Sequence, residues 1–169
     1  MERTLIIIRH AKSSWADPGQ DDFDRPLNDR GREDAPVMGA RLKQRGLLPD
    51  IILCSDAKRT RQTAKRMAEA LGISKDNIET QHELYLASPE QIENTLTKVG
   101  SNHKIVYLIA HNPGITEFVN EVSDRFRIDN VPTCGMVGIR FSAASWADYS
   151  RSEREIIFFD YPKNPHVIK

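Results

Sequence analysis

Short apolar runs, each bounded by a stretch of helical spacing or a turn, set the strongest limit on how this chain can fold. The runs are residues 4–8, 50–54, 104–110, 136–141 and 155–159, rich in isoleucine, valine and phenylalanine. Runs of that length, without polar alternation, suit strands buried on both faces of a sheet. Residues 30–45 place Ala35, Met38 and Leu42 on one helical face and stop at Gly46. Residues 57–71 do the same with Thr60, Ala64, Met67, Ala68 and Leu71, and stop at Gly72. Ser88, Pro89 and Glu90 predict a third helix with a cap and a first-position proline, ending at Gly100; Asn112 as cap and Pro113 at the first helical position predict a fourth, through about Ser123. A weaker strand is expected at 77–80. Strands alternating with helices predict an α/β fold with three layers, α/β/α, around a mostly parallel central sheet. No helical pattern links the last two runs, so they are expected to form an antiparallel hairpin at one edge.

The 169 residues suit a single domain spanning 1–169, with a polar loop at 17–30 and a surface tail at 161–169. Lysine plus arginine (24) balance aspartate plus glutamate (24), so no global charge calls for nucleic acid or a membrane surface. Residues 5–8 are too short for a secretory signal, and no apolar run approaches the roughly 20 residues of a membrane span. A cytoplasmic location is expected. Cys54 and Cys134 allow one disulfide arithmetically, but two reduced thiols are expected in a chain that needs no stapling.

Ligands of open α/β sheets bind beyond the carboxyl ends of the strands. Three such ends carry related residues. The first run is followed by Arg9, His10 and Lys12, the second by Ser55, Asp56, Lys58, Arg59, Thr60 and Arg61, and the third by His111, Asn112 and Pro113. Lys58, Arg59 and Arg61 fall in the first turn of a helix, where the dipole disfavours cations by several tenths of a kcal/mol each. A bound anion reverses that cost, and helix N-termini suit phosphate. An arginine fork reaches two phosphate oxygens at once.

Neither histidine acts as a fixed charge near neutral pH. One imidazole nitrogen can attack phosphorus while the other donates its proton to a fixed acceptor, and a second histidine can donate to the oxygens as charge develops. Two histidines and two arginines are therefore enough for phosphoryl transfer without a metal or cofactor. A metal at His10, His111 and a carboxylate is the other use of such a set, but the arginines would repel it and no H-E-x-x-H or C-x-x-C spacing occurs. His82, His103 and His166 have no comparable neighbours and are expected at the surface.

These residues resemble the histidine phosphatase superfamily, the phosphoglycerate mutase-like group. "RHA" at 9–11 resembles its R-H-G signature, "SDAKRTRQTA" at 55–64 its S-x-x-x-R-x-x-Q-T-A element, and "AHNPG" at 110–114 its G-H motif. With "RPLNDRG" at 25–31 and "ELY" at 83–85, nearly the whole chain is most similar to the small SixA-type phosphohistidine phosphatases. The resemblance implies a phosphoglycerate mutase-like fold, His10 as nucleophile, Arg9 and Arg59 as phosphate clamps, and His111 as a transition-state donor. It further implies that Ser55, Thr60, Gln62 and Thr63 hold Arg59. Glu83 stands where the family often places its general acid, with Asp17 and Asp21 as alternatives.

This chain has Ala11 and Ala110 where the family usually has glycine, which suffices if neither site needs φ > 0. The mutase first motif, R-H-G-E-S-x-W-N, is departed from at Lys12 and Ala16. Lys12 and the run Asp21, Asp22, Phe23, Asp24 are expected to select the partner. Three functions follow: a phosphatase acting through phospho-His10 on protein-borne phosphohistidine, a broad phosphatase for small phosphomonoesters, or a phosphate-sensing or protein-binding module without turnover.

Overall fold

Along the strand Glu2–Arg9 (β1), Leu5 and Ile7 join one apolar cluster and Ile6 and Ile8 another, so the strand is buried on both faces. Each such side chain contributes about 1.5–3 kcal/mol by leaving water. A computed structural model describes residues 1–165, and His166 lies outside them. The remaining strands are Ile51–Cys54 (β2), Ile78–Thr80 (β3), Ile105–Ala110 (β4), Met136–Ser142 (β5) and Arg154–Asp160 (β6). They form one sheet in the order β3-β2-β4-β1-β5-β6. β3, β2, β4 and β1 run parallel, while β5 is antiparallel to both β1 and β6. The hairpin expected at one edge is therefore β5-β6, joined through a 3-10 stretch at Trp146–Arg151.

Helices Asp29–Gln44 (α1) and Lys58–Leu71 (α2) cover one face with Ala35, Met38, Leu42, Ala64 and Met67. Pro89–Leu96 (α3) and Gly114–Asn120 (α4) cover the other with Ile92, Leu96, Ile115 and Phe118. The result is the three-layer α/β/α arrangement with a mostly parallel sheet. Gly72 ends α2 in the left-handed conformation (φ 73°), as its position after the last apolar residue requires.

Two helices, α3 and α4, differ in their limits from the sequence pattern. Ser88 and Gln91 form the expected capping box, but α3 stops at Leu96 rather than near Gly100, because Lys98 and Val99 bond three residues back, to Thr95 and Leu96. α4 begins at Gly114, with Pro113 as its cap and Asn112-Pro113 in the cis form, and ends at Asn120. A β-carbon on Gly114 would lie 1.9 Å from the Ala87 carbonyl oxygen, so glycine alone lets α4 start this close to the α3 loop. Asn112 still serves the helix start, one position further out: its Oδ1 accepts from Thr116 N at 3.2 Å and Thr116 Oγ1 at 2.8 Å.

The tail is tied at its root, where Arg41 donates to the carbonyls of Tyr161 and Pro162. Among the described residues, no helix is long and apolar enough to cross a membrane. Because β2, β4 and β1 are neighbours, Ser55, His111 and His10, which follow them, emerge side by side at one edge of the sheet.

Candidate active site

His10 is fixed by its backbone first. Its N–H donates to Ala110 O (3.1 Å) and its carbonyl accepts from Cys134 N (3.0 Å). Its ring Nδ1 lies 2.7 Å from Ala11 O. A carbonyl only accepts, so Nδ1 carries the proton and Nε2 keeps its lone pair. Ala11 is held in turn by Thr63, whose Oγ1 accepts from Ala11 N at 3.0 Å. Among the described residues, the non-glycine positions with positive φ are Leu86 and Cys134, so alanine is unstrained at both 11 and 110.

His111 is fixed through its other nitrogen. Its Nε2 lies 2.7 Å from Ser55 Oγ, which lies 2.7 Å from Thr60 Oγ1, whose hydroxyl donates to Ala57 O (2.7 Å). With Thr60's proton committed to a carbonyl, Ser55 donates to Thr60 and accepts from His111 Nε2–H. The chain leaves His111 Nδ1 unprotonated and facing Arg59 Nη2, 3.3 Å away. The two rings stand 5.3 Å apart between centroids. Burial pushes both pKa values down to about 3, helped at His10 by His111, Arg59 and Arg9, and at His111 by Arg59.

Of the cations in the first turn of α2, Arg59 is the buried one, at 2 % exposure, while Arg61 is exposed and donates to Asp56 O. The helix there is capped by Ala57, which makes no side-chain cap bond, and has no acidic residue in its first turn. Such an end is about 1 kcal/mol weaker than one capped by serine or aspartate. Asp22 supplies the carboxylate from outside: Arg59 Nη1 donates to Asp22 O (2.6 Å) and Nη2 to Asp22 Oδ2 (3.0 Å). Arg9 donates through Nη1 to Val131 O (3.0 Å), a carbonyl that Asn112 Nδ2 also binds (3.0 Å). Burial, followed by the charge of Arg59, pushes the Arg9 pKa down. The Nε atoms of both arginines are buried without a partner among the described residues. An unpaired buried N–H costs roughly 1–3 kcal/mol, and more on a charged group, so this pair favours an incoming anion.

Arg9, His10, Arg59 and His111 thus come together, with Ser55, Thr60 and Asn112 behind them. The division of labour differs from the resemblance. Ser55 and Thr60 hold His111, and Gln62 Oε1 accepts from Leu27 N at 2.8 Å; Thr63 donates to Arg59 O at 2.7 Å and accepts from Ala11 N, so it touches Arg59 through the backbone, whereas the Arg59 guanidinium is held by Asp22. Lys12 does not join the cluster. Its side chain is exposed and lines a cavity of about 340 Å³ with Arg30, Asp34, Thr133, Tyr161 and Lys163, because its backbone packs against Gly31 at the start of α1.

Glu83 is exposed on the 3-10 turn His82–Leu84. Asp17 is exposed and accepts from Gly19 N, and Asp21 is an exposed cap before the 3-10 turn Asp22–Asp24. His82 is exposed beside Asp56, and His103 is half-buried, with its carbonyl taken by Arg3 and Trp146. Three residues at the site have no role of their own in the sequence pattern: Asp22 stands in the acidic run 21–24, and Arg25 and Tyr85 lie in the stretches 25–31 and 83–85. Asp22 Oδ1 accepts from Arg25 Nε (3.2 Å) and Nη2 (3.0 Å), and Tyr85 OH donates to Asp22 Oδ2 (2.5 Å). Burial would raise the Asp22 pKa, but Tyr85, Arg59 and Arg25 outweigh it and leave it well below the ordinary carboxylate range.

A model of the histidine phosphatase superfamily (branch 1) matches residues 5–125. The chain belongs to the histidine phosphatase superfamily. It is 31% identical over 156 residues to an uncharacterized chloroplastic protein of Arabidopsis thaliana, covering 88% of this chain and 71% of that one. An uncharacterized protein of Mycobacterium tuberculosis is 30% identical over 166 residues, covering 92% and 100%. In three dimensions this superfamily member is similar to a candidate phosphohistidine phosphatase SixA from Agrobacterium tumefaciens, with TM-score 0.79 and 29% identity over 95% of this chain and 98% of that one. Its counterpart from Nakamurella multipartitia gives TM-score 0.80 and 27% identity over 97% and 98%.

Proposed function

We propose that the protein is a phosphatase that works through phosphorylated His10, needs no metal, and takes phosphohistidine on a protein as its substrate. The observation that carries this is the placement of protons on the two rings. His10 offers an unprotonated Nε2 because Nδ1–H is bound to Ala11 O, and His111 turns Nδ1 toward Arg59 because Nε2–H is bound to Ser55. With both pKa values at about 3, the nucleophile is fully available at neutral pH. A phosphate dianion bound by Arg9 and Arg59 favours protonation of His111 on Nδ1, which then donates to a phosphoryl oxygen as charge builds.

In the first step His10 Nε2 bonds to phosphorus as the bond from phosphorus to the substrate's ring nitrogen breaks. The substrate imidazole leaves neutral when its other nitrogen is already protonated. Water then attacks phospho-His10, orthophosphate departs with the water oxygen, and Nε2 regains its lone pair.

Two features favour an imidazole leaving group. Among the described residues, no hydrogen bond joins a carboxyl group to His10 or His111, and imidazole needs less help from an acid than an alkoxide does. Beside His111 stands an aromatic wall suited to a flat ring: Tyr85 lies edge-on to it at 5.4 Å, and Phe23 edge-on to Tyr85 at 5.1 Å. The SixA neighbours support the same substrate class.

The test is hydrolysis of an aryl phosphate and of a phosphohistidine protein in EDTA, with rapid quenching of enzyme labelled from radioactive substrate. Acid-labile, base-stable label at His10, and faster turnover of the phosphohistidine protein than of sugar phosphates, are expected. Turnover without such label would exclude the covalent route.

A further inference from the structure

Arginine presents two edges for paired hydrogen bonds: an end-on edge made by Nη1 and Nη2, and a side-on edge made by Nε and Nη2. Asp22 takes the whole end-on edge of Arg59, with its carbonyl on Nη1 (2.6 Å) and its carboxylate on Nη2 (3.0 Å). The side-on edge is the one left over. Its Nε is buried without a partner among the described residues, and its Nη2 lies 3.3 Å from His111 Nδ1. We infer that Asp22 is a positioning residue that grips Arg59 from behind and so aims its side-on edge at the transferred phosphoryl group.

The alternative use of a carboxylate on such an arginine is as an internal rival of phosphate. Geometry separates the two. A rival occupies the edge that the anion needs, whereas Asp22 occupies the adjoining one, which shares only Nη2 with it, and leaves the buried Nε–H waiting. A rival must also be free to leave. Asp22 is tied down by Tyr85 OH on Oδ2 (2.5 Å) and by Arg25 on Oδ1 (3.0 Å). Arg25 is itself fixed to Ser13 Oγ (2.6 Å) and stacked on Trp15 at 3.6 Å. The grip is therefore part of the folded loop. It joins the segment after β1 to α2 and to the turn carrying Tyr85, three pieces of chain that meet at the proposed phosphoryl site.

The inference rests on the proposed phosphoryl-transfer site, and its test keeps the two apart. Asp22→Ala and Asp22→Asn are made in the wild type and in Arg59→Lys, and kcat, KM and the affinity for orthovanadate are measured. Lysine keeps the charge but has no end-on edge, so any change that survives in that background is not owed to the grip. In the wild type, Asp22→Ala is expected to lower kcat about tenfold with a smaller rise in KM, and to weaken vanadate binding. Asn, whose amide oxygen can turn to the position of Oδ2 and accept from Arg59 Nη2, is expected to restore part of the loss. In Arg59→Lys the same changes should cost less than about twofold.

Equal losses in both backgrounds would reduce Asp22 to a prop of the loop, and tighter vanadate binding by the Asp22 variants would make it a rival of phosphate. Either result overturns the inference. If Asp22→Ala does not fold, Asp22→Asn and Tyr85→Phe carry the same comparison. A wild type that binds vanadate but turns over no phosphorylated substrate would overturn the proposed function alone, with the vanadate arm still deciding on Asp22. A wild type that binds no vanadate would overturn both.

Discussion

Ser55 Oγ lies 2.7 Å from His111 Nε2, and this contact decides which nitrogen of His111 faces Arg59. The hydroxyl cannot relax into another role, because its own proton goes to Thr60, whose proton goes to Ala57 O. A serine and a threonine five residues apart, one after a strand and one in a helix, thus set the tautomer of a histidine from a different strand end. Ser55→Ala is expected to free the ring to flip or to protonate on Nδ1. Turnover should fall about tenfold to hundredfold, with vanadate affinity changed far less, since Arg9 and Arg59 remain. Steady-state kinetics beside calorimetric vanadate titration checks this split; equal loss in both would mean that Ser55 supports the pocket as a whole.

His10→Ala should abolish turnover and leave part of the anion binding. The nucleophile is lost, but the unpartnered Nε atoms of Arg9 and Arg59 are still there to bind. Residual hydrolysis near the wild-type rate, measured on an aryl phosphate, would remove His10 from the covalent step.

Arg59→Lys keeps the charge and loses the geometry. A lysine ammonium cannot hold the Asp22 carbonyl and carboxylate with one edge and a phosphoryl group with the other. The expected loss in kcat/KM is of order 10²-fold, about 3 kcal/mol, as for other preorganised donors. A loss below about threefold would place Arg59 outside the contact shell of the phosphate.

Much of this site was legible in the sequence because its main parts sit at strand ends, where backbone pattern and chemistry coincide. Arg9, His10, Arg59 and His111 follow buried strands or open a helix, so their meeting follows from sheet order. Lys12 shows the limit of that logic. One residue past the buried Ala11, the chain has already turned to pack its backbone on Gly31, and the side chain leaves with it. Asp22 was hidden for a different reason. It stands among Asp21 and Asp24 in a polar loop without periodicity, and only tertiary contacts with Arg59, Arg25 and Tyr85 set it apart from its neighbours. The start of α4 lies one residue beyond the sequence pattern because Asn112 and Pro113 carry ordinary helix-start chemistry, while the close approach of Ala87 to Gly114 is invisible in the local sequence.

The histidine pair should make stability fall in mild acid. Both rings are buried, at 7 % and 2 % exposure, with folded pKa values pushed to about 3, below the ordinary value of 6.5. Between those values the unfolded chain binds protons that the folded chain does not, so stability is complete above about pH 6.5 and declines as pH falls toward 3. The loss amounts to several kcal/mol at order of magnitude. Urea unfolding of the empty protein between pH 7.5 and 4.5 should show the decline, and the double variant His10→Asn, His111→Asn should flatten it. An unchanged slope in that variant would assign the acid sensitivity to other groups.

The last prediction uses the leaving group to locate the general acid. Glu83 is exposed on the 3-10 turn His82–Leu84, two residues before Tyr85, whose ring lies 5.4 Å from His111. An alkoxide departs poorly without a proton, whereas the imidazole of phosphohistidine, protonated on its distal nitrogen near neutral pH, departs neutral. If Glu83 is the acid, Glu83→Gln should slow alkyl phosphate hydrolysis severely and spare phosphohistidine and activated aryl phosphates. Wild-type rates on alkyl phosphates should already be low, because the carboxylate of Asp22, the acid-loop group nearest the cluster, is held ionised by Tyr85 and two arginines and has no proton to give. Equal losses on all three substrates would make Glu83 an orienter of the second-step water, and no loss on any would leave departure of the imidazole to its own ring proton.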